Sequence, residues 1–278
     1  MQLLSLSVHP VKSTAARPVP QARLERAGLV GDRRWMVLDG DGAMLTARTE
    51  PRLLRLTADV AGTAPGVSGL RLRAEGIADL HLPEPGGPEQ EVRVFSDRAV
   101  AVDAGEEAAT WLRAALGRDD VRLVHTPRPQ ARPLDPRYAG DGDHTGFADG
   151  FPVLLTTTAS LAALDDLVAT EAVERALTPP EPLSMTRFRP NLVVEGAEPF
   201  AEHGWSRLRV GAAVLRVVKP CARCVMTTVD PLTLERGPEP LRTLARHRRV
   251  DGRPVFGVNL VPDTTGDLAV GDPVEVLA

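Results

Sequence analysis

Short runs of alternating apolar and polar residues, each closed by a turn, dominate the first hundred positions. They predict strands at 3–8, 34–38, 43–46, 70–73 and 92–95, with Asp39-Gly40-Asp41-Gly42 as a hairpin turn between the second and third. Near Asp103 the period changes. Trp111, Leu112, Ala115 and Leu116 recur at helical spacing up to Gly117, and Asp103 with Glu106 reads as a capping box. A strand at 121–125 is followed by a Pro-, Asp- and Gly-rich stretch, 127–150. That stretch is too long for a plain connection, and such a segment is either disordered or a lid over a site.

The second half opens on an apolar strand at 151–155. It runs into Thr156-Thr157-Thr158-Ala159-Ser160 and a helix marked by Leu161, Leu164, Leu167 and Val168. Hydroxyls at a helix entrance cap free N–H groups, or hold an anion such as phosphate against them. Further strands are predicted at 191–194, 208–210, 214–218, 255–260 and 274–277, and a helix at 241–248. The pattern is that of a β-rich α+β protein without internal repeats.

Composition changes this picture in two ways. At 278 residues, 43% hydrophobic and 25% charged, the chain has the makings of one large or two small globular domains. Its net charge of −4 gives no footing for nucleic acid or an acidic membrane. No apolar run reaches the length that spans a bilayer, and the start lacks a basic, then apolar, leader. The expectation is a cytoplasmic protein whose thiols are reduced. The second change is scarcity: of 33 lysines and arginines only Lys12 and Lys219 are lysine, and only Cys221, Cys224, Asn191 and Asn259 represent their types.

Cys221-Ala222-Arg223-Cys224 admits four readings: a dithiol pair, half of a zinc site, a single thiolate ligand or nucleophile, and plain buried cysteine. Two cysteines and scattered histidines exclude a four-cysteine cluster and disfavour a mixed zinc site. A thioredoxin-like pair opens a helix, whereas residues 225–229 read as an extended β-branched run. Lys219 and Arg223 would stabilise a thiolate, which suits a soft metal, and the spacing leaves either cysteine eligible. Val11-Lys12-Ser13-Thr14 with Gly31-Asp32-Arg33 forms a candidate anion pocket, and Arg187-Phe188-Arg189-Pro190-Asn191 repeats the theme. Dinucleotide, P-loop, zinc-protease and serine-hydrolase signatures are absent. A Schiff base between Lys12 or Lys219 and pyridoxal phosphate is chemically open, but the fold pattern of that cofactor is missing.

Val8-His9-Pro10-Val11-Lys12-Ser13, Gly28-Leu29-Val30-Gly31-Asp32-Arg33-Arg34-Trp35, Leu45-Thr46-Ala47-Arg48, Phe188-Arg189-Pro190-Asn191, Lys219-Pro220-Cys221-Ala222-Arg223-Cys224 and Val270-Gly271-Asp272-Pro273-Val274 together resemble the MOSC proteins. These are named for the molybdenum cofactor sulfurase C-terminal domain. Within them the chain is similar to the mitochondrial amidoxime-reducing component family. The resemblance covers nearly the whole chain. It implies a β-rich N-terminal barrel-like region over 1–120, whose residues 1–33 contribute to the cofactor site, and a MOSC β-barrel with a few helices over 121–278. A molybdenum cofactor (Mo-molybdopterin) would lie between them. Cys224 would ligate molybdenum and be catalytic, and Lys12, Ser13, Arg33, Arg189 and Asn191 would hold the pterin or its phosphate. Arg223, Asn259 and the hydroxyl group Thr157, Thr158 and Ser160 would line the site, with Cys221, Lys219 and Arg223 tuning the metal. Thr14 and Asn259 depart from the family's usual residues, which bears on substrate shape.

The activity implied is reduction of N-hydroxylated small molecules, such as amidoximes and hydroxylamines. Some family members carry a ferredoxin domain after the MOSC domain. The chain ends at Ala278, so a separate donor that is ferredoxin-, cytochrome b5- or flavin-reductase-like is expected. The rival readings are a sulfur carrier working through a cysteine persulfide and a module that stores or delivers the cofactor.

Overall fold

The computed structural model describes all 278 residues, and its largest element is a nine-stranded sheet drawn from both ends of the chain. Its path runs Val274–Val276, Arg207–Val210, Ala213–Ala222, Arg253–Pro262, Val153–Thr157, Leu192–Glu195, Gln2–Val8 and Arg17–Val19, with Arg249–Val250 paired on the side. The first strand of the chain therefore lies antiparallel to Leu192–Glu195, inside the C-terminal sheet. Leu3, Leu6, Leu24, Leu155, Leu192, Leu208, Leu215, Val258, Leu260 and Leu268 point into one core. These are the inward positions of alternating strands.

The expected barrel does not close as a continuous ladder. Its ends are drawn together by a single bridge between Gln2 and Pro273, flanked by Leu3 N to Asp272 O at 2.9 Å and Gly271 N to Leu3 O at 2.8 Å. Val274 N donates to Met1 O at 2.9 Å on the other side of the bridge, and past Leu3 the ladder does not continue, because Arg17–Val19 takes the edge of the first strand at Leu6–Val8 and the chain before Gly271, at φ +96, pairs with residues 21–24 instead.

A second core belongs to the N-terminal half. Thr57–Val60, Leu70–Ala74 and Ile77–Leu82 make a three-stranded sheet, and Trp35–Leu38, Arg122–His125, Asp97–Asp103 and Glu89–Val94 a four-stranded one. Helix α1, Glu106–Leu116, presses Trp111, Leu112 and Leu116 onto Leu70, Leu72 and Leu80. Arg122–His125 pairs with Trp35–Leu38, so the sheets interleave across residue 120 in both directions.

Three local expectations give way to tertiary contacts. Residues 43–46 contribute one bridge, Met44 to Leu38, instead of a strand. The capping box is not formed: Gly105 caps α1, while the Asp103 carboxylate accepts from Gly105 N at 2.7 Å and is gripped by Arg122. Residues 225–228 form a 3₁₀ turn. There the Thr227 and Thr228 hydroxyls donate to the Cys224 and Val225 carbonyls at 3.0 and 2.7 Å, a back-bonding that outweighs the β preference of the side chains.

The ladder between Ala213–Ala222 and Arg253–Pro262 slips twice. Val218 is an extra residue on one strand. On the other, the step from Val258 to Val255 opposite Pro220 to Ala222 contains Gly257 at φ +68. Bulges of this kind re-aim neighbouring side chains, and here they lie opposite Cys221. A Cβ on Gly257 would sit 2.5 Å from Leu155 O and 2.7 Å from Thr156 Cγ2. Gly76, at φ +74, has open space around it. Gly257→Ala should therefore cost about 3 kcal/mol or more in urea unfolding, against about 1 kcal/mol for Gly76→Ala, which has only the backbone penalty. Equal losses in the two variants would show that packing at the bulge is not tight.

Candidate functional site

The segments flagged in the sequence converge on one cleft of about 170 Å³ between the two cores. Its walls include Lys12, Ser13, Arg33, Arg189, Asn191, Cys221, Arg223, Cys224 and Asn259. Both cysteines, both asparagines and one of the two lysines of the chain thus meet in a single place.

Backbone pairing explains the meeting. The loop after the first strand runs beside residues 31–35, with Arg33 N donating to His9 O at 2.8 Å and Lys12 N to Trp35 O at 2.8 Å. Ser13, Arg33 and Arg189 each adopt positive φ, at +71, +47 and +54. Such backbone is sparsely populated for residues with a side chain and persists only where its surroundings enforce it.

At Arg33 the Asn191 amide supplies that surrounding. Its oxygen accepts from Leu154 N and from Arg33, both at 3.1 Å, and its nitrogen donates to Ser7 O and to Asp32 Oδ1, both at 3.1 Å. Asp32, which is buried, also accepts from His9 N at 2.7 Å and pairs with Arg33. All hydrogen-bonding capacity of Asn191 is spent on protein. It lines the cleft but acts by fixing Arg33.

Arg223 behaves similarly. Its Nε and one terminal nitrogen donate to Phe256 O at 2.9 and 2.6 Å, and the other donates to Phe188 O at 3.0 Å. The guanidinium contributes charge to the cleft while its fork is occupied by carbonyls. Arg189 is different: one terminal nitrogen donates to Thr14 O and the other is buried without a partner. Burial, aided by Arg33, lowers its pKa to about 9. An orphaned cationic donor in a concave site calls for an acceptor from outside.

Lys12 is 4% exposed, donates to Phe147 O at 2.8 Å and pairs with Asp149, whose other oxygen takes Arg48 at 3.1 Å. Burial brings Lys12 down to about 8, against the pull of Asp149. The neighbouring cations Lys12, Arg48 and Arg33 hold the Asp149 carboxyl well below its usual range. The end of the stretch expected to be disordered or a lid, Ala148, Asp149 and Gly150, forms part of the cleft wall. Arg132, buried, ties it down by donating to Gly146 O at 2.8 Å, Ala148 O at 2.5 Å and Asp149 O at 3.1 Å. Asp149, Arg48 and Arg187 thus join the lining, and nothing in the local sequence around Asp149 singled it out from the other acids of its loop.

The charge balance of the walls is lopsided: Lys12, Arg33, Arg48, Arg187, Arg189 and Arg223 against Asp149 alone. In a chain of net charge −4 this is a built anion site. The thiols add soft-metal chemistry. Burial pushes the Cys221 thiol up, with Arg223 opposing, so Cys221 is a reluctant thiolate. No group of three or more His, Cys, Asp and Glu side chains converges as a metal site anywhere in the chain, the cleft included.

The hydroxyl cluster lies elsewhere. Thr157 caps helix α2, Thr158–Glu174, by accepting from Ser160 N, and Ser160 Oγ donates to the buried Glu202 at 2.8 Å. Thr157, Thr158 and Ser160 are absent from the cleft walls because the hydroxyls of Thr157 and Ser160 are consumed in capping and in solvating Glu202. Lys219 is also outside the lining, its ammonium 4.2 Å from the Tyr138 ring centroid and 5.5 Å from that of Phe151.

Known proteins were compared with the chain. A family model described as the MOSC N-terminal beta barrel domain matches residues 1–119, and one described as the MOSC domain matches 142–275. Mitochondrial amidoxime-reducing component 1 of Homo sapiens is 34% identical, over 98% of this chain and 82% of the relative. The protein of the same name from Xenopus laevis is 32% identical, over 97% and 80%. Mitochondrial amidoxime reducing component 2 of Homo sapiens is 32% identical, over 97% and 81%.

Two outcomes are expected from the geometry. Asn191→Leu leaves Leu154 N, Ser7 O and the Asp32–Arg33 pair short of partners, so unfolding free energy should fall by about 3 kcal/mol. A loss below about 1 kcal/mol in denaturant titration would show that the amide is replaceable. Second, Lys12 loses its proton as pH rises through about 8, removing one cation from the cleft. Affinity for sulfate, whose own charge is constant there, should fall between pH 7 and 9 in calorimetric titration, and Lys12→Met should flatten that profile. A wild-type affinity that does not change would separate Lys12 from the anion site.

Proposed function

The chain belongs to the MOSC family, among the amidoxime-reducing components, and on that premise we propose that it is a molybdenum-cofactor-dependent reductase of N-hydroxylated compounds. Amidoximes and hydroxylamines are the substrate class, and electrons come from a separate donor. The observation that carries the reading is the union, in one cleft, of a thiol-bearing turn and an excess of cations with an orphaned Arg189 donor. A soft metal needs the first and a phosphate-bearing pterin the second.

The residues fit that group. Cys224 would bind the metal, as the second cysteine of the segment does in the family this chain resembles, with both thiols partly buried in the cleft wall. Lys12, Ser13, Arg33 and Arg189 would hold the anionic end, with Asn259 on the sheet face between Leu154 and Lys219. When bound, the cofactor supplies the two electrons that cleave the N–O bond. The overall change is R–NHOH + 2 e⁻ + 2 H⁺ → R–NH₂ + H₂O. For that change the chain provides orientation and a restricted solvent environment: Phe151, Leu154, Phe188 and Met226 form the apolar part of the walls. Lys12 keeps its proton at Nζ between Phe147 O and Asp149, so the anion wall remains charged at neutral pH. Asn191 and Arg223 act through the groups they hold, Arg33 and the Phe256 carbonyl.

Protein purified from a host that makes molybdopterin should contain molybdenum and reduce benzamidoxime with reduced methyl viologen. Cys224→Ser should lose the metal and at least about a hundredfold of activity, whereas Cys221→Ser should keep the metal and stay within about tenfold of wild type. Equal loss in both variants would remove the assignment of Cys224. Wild-type protein without molybdenum but carrying labile sulfane sulfur would instead establish the sulfur-carrier reading.

A further inference from the structure

One row of side chains crosses three strands of the large sheet. Leu154 pairs with Asn259, and Asn259 with Lys219 on the next strand. Residues directly opposite each other on antiparallel strands project from the same face, and Leu154 and Asn259 both line the cleft. Lys219 is therefore the next side chain along the cleft face, one strand further out. Its stem does not run into the cleft. The ammonium lies 4.2 Å from the Tyr138 ring centroid and 5.5 Å from that of Phe151, two rings that meet edge to face at 6.0 Å and 83°. Phe151 is itself cleft wall, so the charge and the cleft share one ring.

Aromatic faces hold a cation in place without consuming its N–H groups. The two lysines of the chain differ in this respect. Lys12 is spent on Phe147 O and Asp149, whereas Lys219 has no hydrogen-bond or ion-pair partner in the protein. The acid whose charge Lys219 feels, Asp135, is taken on both oxygens by Arg137, at 3.0 and 2.6 Å. Arg216, on the same strand as Lys219, is matched by Asp143 and Asp263. Lys219 and both of its rings are partly exposed. Free donors, held in position and next in line to two cleft residues, suit an anion that reaches out of the cleft. Inside the cleft the cations already have a use, since the proposed cofactor brings its own anionic end to Lys12, Arg33 and Arg189.

We propose that Lys219, held by Tyr138 and Phe151, selects N-hydroxylated substrates that carry an acidic group at the end remote from the N–O bond. The proposal rests on the reductase reading and adds a substrate class to it, carboxylate-bearing amidoximes and hydroxylamines. The N–O end occupies the cleft beside the thiol-bearing turn, the body of the molecule lies against Phe151, and the carboxylate accepts from the ammonium. Lys219 touches no reacting atom, so it is a specificity residue that bears on KM. The rival role is a clamp that pins the turn closed by Tyr138 N and Asp135 O to the sheet. A clamp would affect every substrate alike.

The test compares three probes in the molybdenum-loaded protein, with reduced methyl viologen as donor: 4-carboxybenzamidoxime, benzamidoxime and 4-(trimethylammonio)benzamidoxime. Wild-type KM should be about fivefold lower for the carboxylate than for benzamidoxime and about fivefold higher for the ammonium, and the spread should shrink at high salt. Lys219→Met keeps a stem against the rings and removes the charge. It should bring the three KM values within about twofold of one another, the change falling on KM rather than kcat, and Lys219→Arg should restore their order. Each comparison is a ratio within one preparation, so differences in metal content cancel. A wild type that does not discriminate overturns the proposal, and so does a spread that survives in Lys219→Met. An equal rise for all three probes in that variant, with the spread intact, leaves Lys219 the clamp role alone and overturns it too. If wild type reduces none of the probes, the reductase reading fails by itself. Calorimetric titration of 4-carboxybenzamidoxime then decides the site: tighter binding to wild type than to Lys219→Met sustains it, and equal or absent binding rejects it.

Discussion

The buried knot of Asp32, Arg33 and Asn191 is the constraint on which the rest of the cleft depends. An ion pair removed from water is costly unless its remaining lone pairs and protons find partners. Here they do: the carboxylate takes His9 N and the Asn191 amide, and the guanidinium takes the Asn191 oxygen and Arg189 O. Because these partners belong to three separate strands or loops, satisfying the pair also fixes where they stand relative to one another. The positive φ at Arg33 and at Arg189 is the local strain that this arrangement imposes, at about 1 kcal/mol or more each. The knot thereby joins the first strand, the Gly28-to-Arg33 turn and the Val153–Thr157 strand into one frame.

That frame gathers positive charge in a protein that is acidic overall. Burial makes that charge costly to keep, and with neighbouring arginines adding to it the pKa values of Lys12 and Arg189 fall to about 8 and about 9. Asp149 relieves part of this by pairing with Lys12 and Arg48, yet its side chain stays 63% exposed. The remaining imbalance is what a bound anion would neutralise, and it would stabilise the folded state as it bound. A site of this kind is held ready by the fold and is incomplete without its ligand.

Much of this was legible in the chain. Alternation located most of the strands, and the helical period located α1 and α2, because each of these buries one face against a core and the pattern reports burial directly. Rarity located the cleft: in a surface built with arginine, Lys12, Asn191, Asn259 and the two cysteines stood out, and all five line it. What was not legible depends on partners distant in sequence. Asp149 resembles any loop aspartate until Lys12, 137 residues away, is brought to it. Arg223 looks free to stabilise a thiolate until two carbonyls are found to occupy its fork. The hydroxyls of Thr157 and Ser160 carried an honest ambiguity between capping and anion binding, and the buried Glu202 resolved it toward structure. The barrel implied by resemblance does not close as a continuous ladder because Arg17–Val19 takes the edge of the first strand, a competition between segments that no local pattern announces.

The two cysteines show how such contacts separate residues that a motif treats as equivalent. Cys221 lies within a paired strand, between Pro220 and Ala222, whose partners on the opposite strand are Val258 and Val255. The bulge at Gly257 opposite it, and the burial that accompanies pairing, make ionisation there unfavourable. Cys224 comes after the strand has ended, as the cap of the 225–228 turn, where its side chain makes no capping hydrogen bond and is uncommitted to the backbone. Arg223 between them is drawn back to Phe256 O and Phe188 O, which anchors the turn while leaving the sulfur after it free. A three-residue spacing across the end of a strand thus places one thiol in the sheet and the other in the turn after it, both on the cleft wall. The asymmetry arises from where the ladder stops, and it gives two cysteines of one motif different backbone settings.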